Sequence, residues 1–269
     1  MAEVQPRIRV GTLLRDWRRR RHLSQLDLAL EAGVSARHLS FVETGRARPS
    51  PEMVLHLAEQ LEVPLRDRNQ LLLAAGYAPV YGERGLDDPE MAPVRDAIDQ
   101  VLRGHDPYPA LVVDREWEML AANRTVALLT EGVAPELLEP PLNVLRVALH
   151  PDGMAPRIAN LGEWREHLLE RLRRQVVLTG DPAVAALEEE LRGYPGPPPE
   201  PGADRNPLAV PLRLHDGAGG ELAFISTVAT FGTAVDITVA ELSIEAFFPA
   251  DARTAQAARA AAEALPLEV

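Results

Sequence analysis

Apolar residues recur at helical spacing through the first quarter of the chain. Val10, Leu13, Leu14 and Trp17 form one set, Leu28 and Ala29 a second, Val34, Leu39 and Val42 a third, and Val54, Leu55, Leu57, Ala58 and Leu61 a fourth. A 3.6-residue period of this kind predicts short amphipathic helices in succession. The punctuation between them agrees. Ser24 can cap the second helix with Asp27 three residues on, Ser35 can cap the third, and Ser50 followed by Pro51 can open the fourth. Gly33 falls where the second and third helices must turn, Gly45 closes the third, and a fifth helix from about Leu65 to Ala75 stops at Gly76. A compact all-α domain over 1–78 is expected.

Beyond it the period changes. Residues 79–105 begin as a Gly-, Pro- and acid-rich linker. From Met91 to Arg103 they read as a connecting helix with Val94, Ala97, Ile98, Val101 and Leu102 on one side, a face that leads into the second domain or pairs with its own copy. From Pro109 the pattern alternates: Leu111 and Val113, a turn near Asp114 to Glu116, then Trp117, Met119 and Ala121, with Asn123 placed to cap a following helix. Helical stretches are expected over Leu142–Leu149, Leu161–Gly180 and Asp181–Arg192, then a Pro-rich loop over 194–207. Strands follow around Leu208–Leu214, Leu222–Phe231 and Asp236–Phe248, with a hairpin turn at Asp216–Gly220 and a final Ala-rich helix over about Ala250–Ala264. The fold class is therefore α+β, a five-helix N-terminal domain followed by a sheet-and-helix domain over 106–269.

Charge divides at the same place. The chain carries net −12, yet residues 1–76 hold 12 Arg against 9 acids, net +3, and residues 77–269 hold 16 Arg against 31 acids, net −15. Only the first part tolerates a polyanion. Within it, Leu23 to Ser50 has the spacing of a helix-turn-helix, which leaves Gln25, Ser35, Ala36, Arg37, His38, Ser40 and Phe41 outside the helix packing, with Arg46 and Arg48 just beyond. This is the candidate surface for double-stranded DNA, and Arg37 is the leading candidate for a base contact because a guanidinium bonds both acceptors of guanine. The run Arg18–Arg21 is either a solvated helix end with favourable dipole charge or a phosphate attractor.

The first domain resembles the xenobiotic-response-element-type helix-turn-helix family, related to phage (lambda-type) repressors, through SQLDLA at 24–29, GVS at 33–35, ETGR at 43–46 and PSP at 49–51. The resemblance implies that Gln25 contacts a backbone phosphate, that Ala36, Arg37, Ser40 and Phe41 face the major groove, and that Glu43 pairs structurally with an Arg of the first helix, here Arg18. The second domain resembles the ligand-sensing half of MmyB-like regulators through PALVVDREWEMLAANR at 109–124, PPLNVLRVALHPDG at 140–153, WREHLL at 164–169 and STVATFGTAVDITVAELSIEAFFPAD at 226–251. It implies a PAS-like fold whose hollow accepts a fatty-acid-like molecule.

For such a hollow the sequence offers Trp117, Leu145, Trp164, Leu168 and Phe231 as apolar walls and Asn123, Arg146, His150, Asn160, Thr227 and Thr230 as polar contacts. Arg146 and His150, four apart on one helix, share a face; they form a cationic pair for a carboxylate, or else Arg146 pairs with a core acid and His150 ends its helix before Pro151. The acid run Glu188–Glu190 reads as a solvated helix face. No nucleophile, base and orienter assemble, no HExxH set accompanies the His residues, and no phosphate-cradling Gly loop appears, so neither catalytic nor metal-binding residues nor a cofactor is expected. With no cysteine and no apolar run of about 18 residues, a soluble cytoplasmic protein is expected. The expected function is a ligand-responsive, homodimeric DNA-binding regulator. The alternative is a protein-partner adaptor, favoured by the acidic second domain.

Overall fold

The computed structural model describes residues 9–199 and 209–265. The chain forms two compact units: one runs through Arg84 and includes 177–179 and 234–237, and the other holds the remainder.

The first unit contains α1 (Val10–Arg20), α2 (Gln25–Glu31), α3 (Ala36–Glu43), α4 (Pro51–Gln60) and α5 (Leu65–Ala74). Its caps are those the sequence specifies. Ser24 Oγ accepts from Asp27 N at 3.1 Å while Asp27 Oδ2 accepts from Ser24 N at 2.9 Å, a closed capping box. Ser35 caps α3 through His38 N at 3.1 Å, and Ser50 caps α4 through Met53 N at 3.3 Å. Gly33 adopts φ +63°, a left-handed turn that a side chain would strain. The apolar stripes meet in one core around Leu14, Trp17, Leu28, Leu39, Leu57 and Leu71. Gly11 lets α1 approach the end of α3, where a Cβ would lie 2.3 Å from the Val42 carbonyl oxygen.

In the second unit, α6 (Ala92–His105) precedes β1 (Ala110–Val113) and β2 (Met119–Ala122). Then come α7 (Val144–Leu149), α8 (Leu161–Thr179), whose last three residues group with the first unit, and α9 (Pro182–Arg192). The chain closes with β3 (Leu212–His215), β4 (Glu221–Thr230), α10 (Ile237–Glu241), whose first residue groups with the first unit, β5 (Ser243–Pro249) and α11 (Ala252–Ala264). The strands form one antiparallel sheet in the order β2-β1-β5-β4-β3. Every residue of β1 is buried because both faces are covered. Leu111 and Val113 enter the large core with Trp164, Leu172 and Phe224, whereas Ala110 and Val112 pack with Ile98 and Leu102 of α6.

Three elements depart from the sequence pattern. Asn123 does not cap an α-helix. Its Oδ1 accepts from Ala110 N at 3.0 Å and its Nδ2 donates to the carbonyls of Tyr108 at 2.7 Å and Leu102 at 3.3 Å, so it ties the entry of β1 to the exit of β2, and only a 3-10 turn over Arg124–Leu128 follows. The last strand does not begin at Asp236: residues 237–241 coil as α10 and pairing starts at Ser243. Nor is Glu188–Glu190 simply a solvated face. Glu188 is buried and pairs with Arg192 and Arg173, and Glu190 pairs with Arg146. Part of the Pro-rich loop and the start of the Leu208–Leu214 strand lie outside the described residues.

Candidate functional sites

On the first unit the decisive contact is internal. Glu43, at the end of α3, accepts from Arg18 of α1 at both oxygens, Nε to Oε1 at 2.7 Å and Nη2 to Oε2 at 2.8 Å, with both residues buried. Burial by itself disfavours the Glu43 carboxylate, but the bonds from Arg18 and Gln25 outweigh it and hold its pKa below the usual carboxylate value. The pair locks the first helix to the third and leaves α3's opposite side outward. There Arg37 is exposed and Phe41 half-buried; the guanidiniums of Arg37 and Arg46 lie 5.3 and 6.0 Å from the Phe41 ring centroid. Ala36, His38 and Ser40 are half-buried beside them, and Ser35 is exposed at the helix start with its hydroxyl engaged in the cap.

Two of the expected contacts have structural employment. Gln25 Nε2 donates to Glu43 Oε2 at 2.8 Å, and Arg48 Nη2 donates to the Ala75 carbonyl at 3.0 Å while its guanidinium sits 5.0 Å from the Tyr77 ring centroid, closing the end of α5. Within the Arg18–Arg21 run, Arg18 is the buried partner of Glu43, and Arg21 donates to the carbonyls of Leu61 and Glu62 at the end of α4.

The second unit holds a cavity of about 360 Å³ between the sheet and the segments that cross it. Leu111, Met119, Ala122, Leu212, Glu245 and Phe247 line it from the sheet; Val126, Leu129, Leu142, Leu145, Ala148 and Met154 from the connecting segments and α7; Trp164 and Leu168 from α8. Leu111 pairs with Ala122 on one side and with Glu245 on the other, so these three stand in one row across the sheet. Polar lining is sparse: Asn123, Arg124, Thr130 and Glu245. Arg124 Nε and Nη2 donate to Asp106 Oδ2 at 3.1 and 2.6 Å, and Glu245 accepts from Arg171 Nη1 at 3.1 Å.

Of the residues expected at the hollow, Asn123, Leu145, Trp164 and Leu168 line it, and the other seven do not. Trp117 is buried behind it, its Nε1 donating to Gln175 Oε1 at 2.9 Å and its ring centroid 4.2 Å from the Arg171 guanidinium. Asn160 is consumed in bonding Pro211 O and Arg213 N of the β3 segment. Thr227 and Thr230 are exposed, because β4 runs past the core, and Phe231 packs in the α6 cluster on the sheet's other face. Arg146 makes a two-pronged pair with Glu190 of α9, each bond 2.8 Å, and His150 ends α7 with its ring 5.2 Å from that of Tyr194. The carboxylate of Glu190 is held below its ordinary pKa first by Arg146. Burial and its bond to Glu190 push the Tyr194 hydroxyl up to about 12. Because the Arg146–Glu190 pair is largely solvated, Arg146→Ala is expected to cost no more than about 1 kcal/mol in a urea melt. The affinity of any cavity ligand should stay unchanged, as calorimetry would show.

Comparison with protein families decides what this assembly is. Residues 94–261, more than half of the chain, match the model of the MmyB-like transcription regulator ligand binding domain, and residues 14–67 match a helix-turn-helix model. The chain belongs to the MmyB-like transcription regulators. A comparison with curated proteins gives no match. As an MmyB-like regulator it joins a DNA-binding helix-turn-helix to a ligand-binding domain, and the matched families are regulatory and ligand-binding rather than enzymatic. Among the described residues no helix is long and apolar enough to cross a membrane.

Most of the wall of this regulator's cavity, Leu111, Met119, Arg124 and Thr130 among it, was missed by sequence reasoning, and the residue of most chemical consequence among those missed is Glu245. The signal lay in SIEAFF at 243–248, where an acid interrupts an otherwise apolar strand; with the side exposed to the core it had to be either a packing cost or a site.

Proposed function

We propose that this cytoplasmic regulator binds a two-fold operator as a homodimer, reading the major groove with α3, and that a small amphipathic molecule with a fatty-acid-like aliphatic body in the second unit's cavity shifts that affinity. The observation that carries the reading is the presence in one chain of an Arg37–Phe41–Arg46 cluster on and just beyond α3 and of an apolar cavity in the second unit. Arg37 is the proposed base contact, with Ser35, Ala36, His38, Ser40 and Phe41 around it and Arg46 at a phosphate. Gln25 and Arg48 keep phosphate roles beside their structural ones, since an amide NH2 and a guanidinium each have further N–H groups to give. The strand order β2-β1-β5-β4-β3 supports a PAS-like description of the sensor.

The test is a footprint of the gene's own upstream region. Arg37→Ala is expected to weaken binding roughly tenfold to a hundredfold, as the loss of one bidentate base contact does. Arg46→Ala is expected to weaken all sequences alike and to lower the salt slope by about one. Undiminished binding by both variants sinks the assignment of this face. The adaptor reading, which the −15 of residues 77–269 favours, requires instead that binding to the upstream DNA show no steep salt dependence.

A further inference from the structure

The charges around the cavity limit what its ligand can present. Each polar group in the wall has a measurable account of its hydrogen bonds. Asn123 spends its carbonyl on Ala110 N and Thr125 Oγ1, and its amide on Tyr108 O and Leu102 O. Thr130 Oγ1 donates to the Val126 carbonyl at 3.4 Å. Arg124 is the cation of the wall, and it is already neutralised by Asp106 and further held by the Leu265 carbonyl at 3.2 Å. Glu245 is the acid of the wall and is 5 % exposed. It faces the cavity beside Leu111, its charge is balanced by Arg171, and one bond from Arg171 occupies one of the several lone-pair positions of its two oxygens.

The charged groups at the wall occur as neutral pairs, so a ligand with a net charge of either sign enters without an available counter-ion and carries its desolvation uncompensated. The unused hydrogen-bonding capacity nearest the centre of the sheet is an acceptor, so the group that fits there is a donor. A carboxylate has only acceptors and a charge of the same sign as Glu245.

Building on the reading of this cavity as the sensing site, we propose that its ligand carries an uncharged hydroxyl head on an apolar body, an aliphatic or alicyclic alcohol, whose O–H donates to Glu245. The Arg171–Glu245 pair is then the selectivity device: it holds a desolvated acceptor in place and rejects carboxylates. The ligand shares its chain with a fatty acid and differs from it at the head.

The experiment uses the full chain and three probes of one chain length, decan-1-ol, decylamine and decanoate, titrated at neutral pH by calorimetry. Decan-1-ol is expected to bind at least about tenfold more tightly than either charged probe, roughly the worth of one burdened head group. In Glu245→Gln, which keeps an acceptor oxygen but removes the charge and releases Arg171, decanoate is expected to gain about tenfold while decan-1-ol changes by less than about threefold. Should that variant fail to fold with Arg171 unpaired, the neutral double variant Arg171→Gln with Glu245→Gln is expected to shrink the preference for decan-1-ol over decanoate below about threefold. Decanoate or decylamine binding the native protein as tightly as decan-1-ol overturns the head-group assignment and leaves the cavity reading standing. Failure of all three probes to bind, or binding that survives when Ala148→Phe fills the cavity, overturns the cavity reading and this inference with it.

Discussion

Glu43→Ala is expected to destabilise the five-helix unit by about 3–5 kcal/mol, the cost of leaving a buried charge without its partner. Arg18 is 8 % exposed and would keep a single bond, from Nη1 to the Leu23 carbonyl at 2.8 Å. Against the roughly 5–15 kcal/mol that holds a small domain folded, such a loss brings the unit near its threshold. Urea melts followed by Trp17 fluorescence would measure it, since Trp17 sits in the same core. The pair also sets an acid limit. The Glu43 pKa is lower in the folded chain than in the unfolded one, so its contribution is fully present above the unfolded value of about 4.3 and is lost as pH falls through the folded value. The native protein should therefore lose stability on acidification in that window, and Glu43→Gln should flatten the dependence. A melt of equal midpoint for Glu43→Ala and native protein would show that the pair does not hold α1 to α3.

Phe224→Ala is expected to cost about 3–5 kcal/mol in the second unit. Phe224 is 0 % exposed on β4, paired with Leu212 of β3 and Pro249 of β5, so truncation opens a void next to a residue that already lines the cavity. The adjoining strand supplies the control. Phe248, 44 % exposed on β5, points away from that core, and Phe248→Ala is expected to cost less than about 1 kcal/mol at the same chemical change. Equal losses for the two would contradict the placement of the core on one side of β4.

What could be read from the sequence divides by the range of the interaction. Ser24 with Asp27, Ser35, Ser50 with Pro51 and the turn at Gly33 are local, and a capping box or a left-handed glycine is specified within four residues. The alternation that marked β1 and β2 is local as well. The cavity is not, because its wall is assembled from residues more than a hundred positions apart: Leu111 meets Glu245 only once β1 pairs with β5. Arg146 and His150 illustrate the limit. Their four-residue spacing suggests a shared helix face, but α7 ends at Leu149 and His150 is its extended cap, and whether Arg146 meets a ligand or Glu190 of α9, 44 positions away, depends on helix packing that the spacing does not encode. Thr227 and Thr230 fail for a related reason. Period two assigns a face to each, while the point at which β4 leaves the core, after Phe224, is set by the lengths of its neighbours.

Filling the cavity is expected to change how tightly α3 holds DNA. That coupling is tested most directly by the affinity of the full-length protein for the DNA it protects in a footprint, read by fluorescence anisotropy while decan-1-ol or decanoate, whichever binds, is titrated and cavity occupancy is followed through Trp164. DNA affinity is expected to shift by at least about fivefold, the low end of ordinary coupling, with a midpoint that tracks occupancy. A DNA affinity that stays constant while the cavity saturates would contradict it.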